Sequence, residues 1–414
     1  MKNMTKNRKN IVVFNDFPIN PPRFGGQIRI YNIYKNLAQK YNVTYICFGG
    51  SNSIEKNSVE KSLICENFLE IKVPKSRFHK NMDAVAGKLL GVSVDDITAM
   101  FLCKQNPEID ALARECLEKS DLVILSHPYM YPLIRDYVKN KPLIYESHNV
   151  EALLKKSLLG SGLIRNYISN KVKIVEKDLS RRADSIFVTS KEDLNSIQEL
   201  YELEENKIYV SPNGVDINTF EFLYKEGNPI KEKIIDRPLV IFLGSGHPPN
   251  VQAAKIILKE IAPKIKEVYF LICGSVCWGI KNENKGKNVG LAYEVTEEEK
   301  LELYRISDLA INPMTSGSGT NIKMLDYMSA SLPVISTSIG ARGLNLENYR
   351  NVIISEIPEF PGKIREILKD KQLYENISSA GRKVVEKEYN WNTIASHMCG
   401  ILDVVLEKKS ASKL

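Results

Sequence analysis

The stretch NPMTSGSGTNIKMLDYMSASLPVIST, Asn312–Thr337, decides the fold. Gly317, Ser318, Gly319 and Thr320 form a turn-forming cluster. An amphipathic segment over 321–330 follows at once, and Pro333 then opens the β-branched run PVIST (333–337). The apolar run LAINP (309–313) precedes the cluster, so the order is strand, glycine turn, helix, strand. That order specifies parallel strands with a helical crossover. A glycine-rich turn that opens a helix presents backbone N–H groups and a positive dipole end, which suits a phosphate.

The same pattern recurs along the chain. Runs 11–14, 43–48, 122–126, 142–147 and 185–190 lie in the first half. Runs 239–244 and 268–274 join 309–313 and 333–337 in the second. They are continuously apolar, as expected of strands covered by helices on both faces. Helices are expected near 27–40, from 151 to 182, after Asn250, after 296–300, and in the last segment. At 414 residues the chain is too long for one core. We divide it into an N-terminal Rossmann-like acceptor domain (1–208) and a C-terminal Rossmann-like donor domain (209–390). The helix 391–414 is expected to pack back on the first.

Composition excludes several classes. Hydrophobic content of 43% and charged content of 26% are those of a globular protein. Lys plus Arg is 57 against 50 Asp plus Glu, a mild excess of +7 that favours anionic partners without specifying one. Seven scattered cysteines do not make a disulfide framework, and Cys273 and Cys277 lack further ligands at metal spacing. No nucleic-acid module is visible. The basic start MKNMTKNRKN runs into IVVFN without a signal-peptide core, and no apolar run reaches membrane-spanning length, so a cytoplasmic chain is expected. The segment KVPKSRFHKNMDAVAGKLLG (72–91) is basic, then amphipathic. A solvated face is its common reading, and peripheral contact with lipid headgroups at the inner face of the membrane, or with an anionic acceptor, is the other.

Six segments in order carry a resemblance: PPRFGGQIR (21–29), ESHNVEA (146–152), RRADSIFVTS (181–190), SPNGVD (211–216), GSGTNIKMLDYMSASLPVIST (317–337) and GLN (343–345) after IGAR (339–342). They resemble the retaining GT-B glycosyltransferases of the group 1, or family 4, type over nearly the whole chain. The resemblance implies two Rossmann-like domains facing each other across a cleft. It also implies transfer of a hexosyl unit, with retention, from a nucleoside-diphosphate sugar to a glycan or lipid-linked acceptor. Cell-surface polysaccharide or glycoconjugate biosynthesis is the setting it suggests. The nucleotide sugar is a substrate, and neither cofactor nor metal is called for. The rival readings are a non-catalytic nucleotide-sugar-binding partner subunit and a GT-B nucleotide-sugar epimerase.

By the same resemblance, His148 lies beside the donor sugar and Asp326 holds the donor's ribose. Gly25, Gly26, Gly317, Gly319, Thr320 and Lys323 serve the diphosphate and sugar. Arg29 and His127 are assigned to the acceptor, with Arg29 a second source of positive charge; His247 is left undecided. Three positions depart from the family pattern. Ser318 stands in place of the first of two glutamates, and Ser245 and Asn250 stand where an arginine and a lysine contact the diphosphate. A departing diphosphate needs positive charge around it. Lys323, three residues before Asp326 and on the same helix side, is the candidate to supply it.

Overall fold

The computed structural model describes residues 8–49, 58–138, 140–224, 236–317 and 319–411. The chain divides into two compact units, Met1–Pro212 with Ile394–Leu414, and Asn213–Thr393.

The first unit holds β1 (Asn10–Phe14), β2 (Asn42–Phe48), β3 (Glu60–Cys65), β4 (Phe68–Val73), β5 (Leu122–Ser126), β6 (Leu143–Glu146), β7 (Ser185–Val188) and β8 (Ile208–Val210). They form one sheet in the order β3-β4-β2-β1-β5-β6-β7-β8. All neighbours are parallel except β3 and β4, which pair antiparallel at one edge. The central strands are apolar on both faces because helices cover both, and β5, β6 and β7 are buried at every position. The expected helical stretch 151–182 is two helices, Glu151–Leu159 and Leu163–Arg182. Gly160 and Gly162 break it at φ 71° and 140°, conformations that side chains with a Cβ avoid. The last helix, Trp391–Ala411, belongs to this unit from Ile394 onward, where Asp403 accepts from Tyr41 at 2.7 Å and pairs with Lys40.

The second unit holds β9 (Leu239–Leu243), β10 (Tyr269–Cys273), β11 (Val289–Ala292), β12 (Leu309–Asn312), β13 (Val334–Ser336) and β14 (Ile353–Ile354), in the parallel order β11-β10-β9-β12-β13-β14. The opening stretch folds as read: β12, a glycine loop, the helix Ile322–Ser329, then β13.

Strand order locates the sites. Chain direction across each sheet reverses at one point, beside β1 and β5 in the first unit and beside β9 and β12 in the second. Loops leaving the carboxyl ends of such strands diverge and leave a crevice for ligands. Asn15, Asp16 and His127 follow the first pair; Gly244, Ser245 and residues 313–321 follow the second.

Candidate active site

In the second unit a cavity of about 140 Å³ opens at the β9/β12 crevice. Ser245, His247, Pro249 and Asn250 line it from the loop and helix after β9; Met314, Ser316, Gly317 and Asn321 from the loop after β12; Ile339 and Arg342 from the loop after β13. Gly317 (φ 124°) and Gly319 (φ 75°) carry the loop through backbone conformations that glycine adopts freely. Ser318 lies outside the described residues. Thr320 Oγ1 is buried at this loop without a partner.

Lys323 leads from the first turn of the helix Ile322–Ser329 to the departing positions. Its Nζ donates to Asn250 Oδ1 at 2.7 Å, and Asn250 Nδ2 donates to Ser245 Oγ at 3.1 Å. The ammonium also sits 4.4 Å from the centre of the Phe242 ring, a favourable place for a cation. Burial nevertheless pulls the amine down to about 7, because the site supplies a ring and an amide but no carboxylate to favour the charge.

Arg342 is the cation that the sequence reading passed over. Its Nη2 donates to the carbonyl of Gly317 at 2.8 Å and reaches that of Gly319 at 3.4 Å, so it braces the glycine loop from outside while lining the cavity. The signal was present in IGAR, a basic residue in the loop after a buried strand. His247, undecided from sequence, lines the same cavity.

Asp326 has partners of its own. Its Oδ2 accepts from Tyr304 at 3.3 Å and lies 3.6 Å from Lys300 Nζ, both on the helix Glu297–Ile306. Burial raises its carboxyl, and the charge of Lys300 opposes that shift. The i, i+3 spacing therefore gives neighbours with separate partners, not a pair.

In the first unit Glu146 is the hub of a buried network. Its side chain is fully buried and accepts from Tyr34 Oη at 2.7 Å, Ser126 Oγ at 3.0 Å and Arg29 Nε at 3.2 Å. His148 Nε2 lies 3.0 Å from Ser126 Oγ and 3.5 Å from Glu146 Oε1. A neighbouring acceptor-only carboxylate favours a hydrogen on Nε2. Burial alone would raise the Glu146 carboxyl, but His148, Arg29 and Tyr34 outweigh it and hold it below the ordinary range. Burial lowers His148 despite the pull of Glu146, so its ring tends to neutrality.

His127 packs against His148 with ring centres 4.2 Å apart and planes tilted by 33°, and its Nδ1 lies 3.1 Å from Asn15 Oδ1. Its φ of 80° is a conformation that non-glycine residues rarely hold, and such strain collects at functional sites. Beside it Asp16 is buried with Oδ1 unpartnered, and burial with Asp96 nearby pushes its carboxyl up to about 7. Sequence reasoning passed over Asn15, Asp16 and Glu146, whose only signal was a position at a strand end.

Two expectations change. Arg29, assigned to the acceptor, is only 1% exposed and is committed to Glu146 and, at 2.7 Å, to the carbonyl of Pro212. Its hydrogen bonds brace the walls under His148, so it offers no surface to a ligand. The helix expected near 27–40 starts two residues earlier, so Gly25 and Gly26 are its first residues, in the helix Gly25–Leu37. A Cβ on Gly26 would make only ordinary contacts, the nearest 3.5 Å away on Phe24. Gln27 ties the preceding loop to this helix by accepting from Arg23 N–H and donating to Pro18 O, each at 2.7 Å.

Two parallel α/β units with crevices at their strand ends are the GT-B architecture. Residues 25–219 match the glycosyltransferase family 4 pattern, and residues 237–370 the glycosyl transferases group 1 pattern. The chain belongs to the group 1, family 4 type of glycosyltransferases. It is 25% identical over 264 residues to an uncharacterized 44.6 kDa protein in the cps region of Klebsiella pneumoniae, a match that covers 58% of this chain and spans 62% of that relative's length.

Solved structures agree in fold. Sucrose-phosphate synthase from Thermosynechococcus elongatus superposes with a TM-score of 0.70 at 14% identity, covering 97% of this chain and 100% of its own. HepE from Anabaena, in complex with UDP-glucose, gives 0.65 at 14%, covering 95% and 99%. A glycosyltransferase from Rickettsia africae gives 0.66 at 16%, covering 97% and 99%.

Proposed function

We propose that this glycosyltransferase moves a hexosyl unit from a nucleoside-diphosphate sugar to a glycan or lipid-linked acceptor, with retention of anomeric configuration and without a metal ion. The observation that carries the reading is the placement of Lys323 Nζ on Asn250, a position where the family pattern calls for a cation. The glycine loop offers N–H groups, Lys323 and Arg342 offer charge, and together they fit a diphosphate. Asp326 would hold the ribose, and the neutral His148, whose Nε2–H is spent on Glu146 and Ser126, would accept from a sugar hydroxyl at Nδ1. In this mechanism the departing phosphate takes the acceptor's proton on the face it leaves, and the protein stabilises the leaving charge.

The UDP-glucose complex of HepE supports a uridine donor as the first to try, and the cps region of the Klebsiella relative supports a polysaccharide acceptor. Incubation with a panel of nucleotide hexoses, with and without EDTA, tests the proposal. Slow release of one nucleoside diphosphate, undiminished by EDTA, is expected. Loss of release with EDTA and its return with manganese would overturn metal independence. Epimer formation without release would overturn transfer.

A further inference from the structure

The helix Arg77–Leu90 is inverted for a helix of a folded core. Of its fourteen residues only His79 and Leu90 are buried. Phe78, Met82, Val85 and Leu89 recur at i, i+4, i+7 and i+11, which is one stripe on a helix of period 3.6. That stripe faces outward: Phe78 is 58% exposed, Val85 60% and Leu89 65%. Ser76 caps the helix start by accepting from His79 N–H, and Gly91 closes its end at φ 73°. The helix is therefore well formed without burying its apolar side.

A second apolar set adjoins its end. Arg165 donates to Leu90 O at 3.0 Å and also to Leu159 O, so the end of the helix Arg77–Leu90 is tied to the Gly160–Gly162 turn. Around that turn Leu158, Leu163, Ile164 and Tyr167 are exposed, Leu163 at 93%. Beneath both sets Leu90, Val94, Leu159 and Val172 share one buried cluster. Contiguous exposed apolar surface of this kind marks a docking face.

Basic residues predominate around it, with Asp95 an exposed acid just past the helix end. Arg77 and Lys88 border the stripe on one side of the helix, and Lys156, Lys171 and Lys173 lie on the elements that carry the second set. The one acid of the helix, Asp83, turns inward to Lys75 at 2.8 Å and to Thr98. Aliphatic and aromatic tips with a lysine and arginine border match the acyl boundary and phosphates of a bilayer.

We infer that this face docks the protein on an anionic membrane, with Phe78, Met82, Val85, Leu89 and Leu163 entering the headgroup boundary. The inference does not depend on the donor reading, because none of these residues lines the cavity beside Lys323. Co-sedimentation of the full chain with vesicles of phosphatidylcholine, alone or mixed with phosphatidylglycerol, tests it. Binding to mixed vesicles is expected, weak on phosphatidylcholine alone and weakened by salt.

Replacing Val85, Leu89 and Leu163 together by Ser should lower partition by about tenfold or more, and Arg77→Glu with Lys88→Glu should lower it too. The replaced apolar groups are exposed, so both variants should keep the parent's melting temperature. Failure of the chain to sediment with either vesicle would overturn the inference and point to a protein partner for this face. Undiminished binding by both folded variants would overturn it as well.

Discussion

At the scale of single residues, Lys323 holds the most chemistry. Its amine titrates near 7 because burial disfavours the charge and no anion restores it. A nucleotide sugar brings that anion, and its diphosphate, esterified at both ends, exchanges no proton near neutrality. Binding should then raise the amine above 7 and draw a proton from solution. The sign follows: below pH 7 the amine is already charged and uptake vanishes, whereas affinity falls as pH rises above 7 toward the bound value. Calorimetry in buffers of different ionisation enthalpy at pH 7.5 should show uptake in the parent and none in Lys323→Met. Equal uptake in both would remove Lys323 from the diphosphate. Arg29 is the contrary case. Sequence spacing cannot distinguish a ligand-facing arginine from one neutralised by a buried glutamate 117 positions later, and here the second holds.

At the scale of elements, the turns after strands set the cavity. Gly274, directly after β10, has φ 94°, and a Cβ there would stand 2.5 Å from the carbonyl oxygen of Gly244, the residue that leads into Ser245. Backbone cannot yield as a flexible side chain does. Gly274→Ala should destabilise the second unit by about 1–3 kcal/mol and weaken donor binding by displacing Ser245. Gly362→Ala is the control, since a Cβ there meets nothing within 4 Å. Equal melting temperatures for both variants would contradict the close approach.

The βαβ order of 309–337 was legible because apolar runs, glycines and Pro333 all agree on it. The β3–β4 edge was not: EKSLIC and FLEIKV carry charges among apolar residues, so neither reads as the continuously apolar run of a covered strand, although they pair with each other as a hairpin. The two-residue strand β14 offers too little pattern to read. The lysine was found because a missing cation was sought in the same helix, whereas Arg342 reaches the glycine loop from 25 residues away.

At the scale of the molecule, both units repeat one arrangement, a parallel sheet whose crevice collects polar side chains, but the chemistry is divided. The first unit places neutral His148 on the buried carboxylate of Glu146, with His127 packed against it, which suits hydrogen bonding to sugar hydroxyls. The second places Arg342 on a glycine loop and the buried Lys323 amine behind it on Asn250, which suits a diphosphate. Among the described residues no group of three His, Cys, Asp or Glu could hold a metal, and no helix is long and apolar enough to cross a membrane. The central claim is that the glycine loop, with Lys323 and Arg342, binds the diphosphate of a nucleotide sugar. Titration of a panel of nucleoside diphosphates into the parent, Lys323→Ala and Arg342→Ala proteins tests it most directly. The account expects one base to bind the parent and each variant to bind it about tenfold or more weakly, as the loss of a charge-assisted contact implies, with the fold intact. Binding undiminished in both variants, or no binding of any diphosphate by the parent, would contradict it.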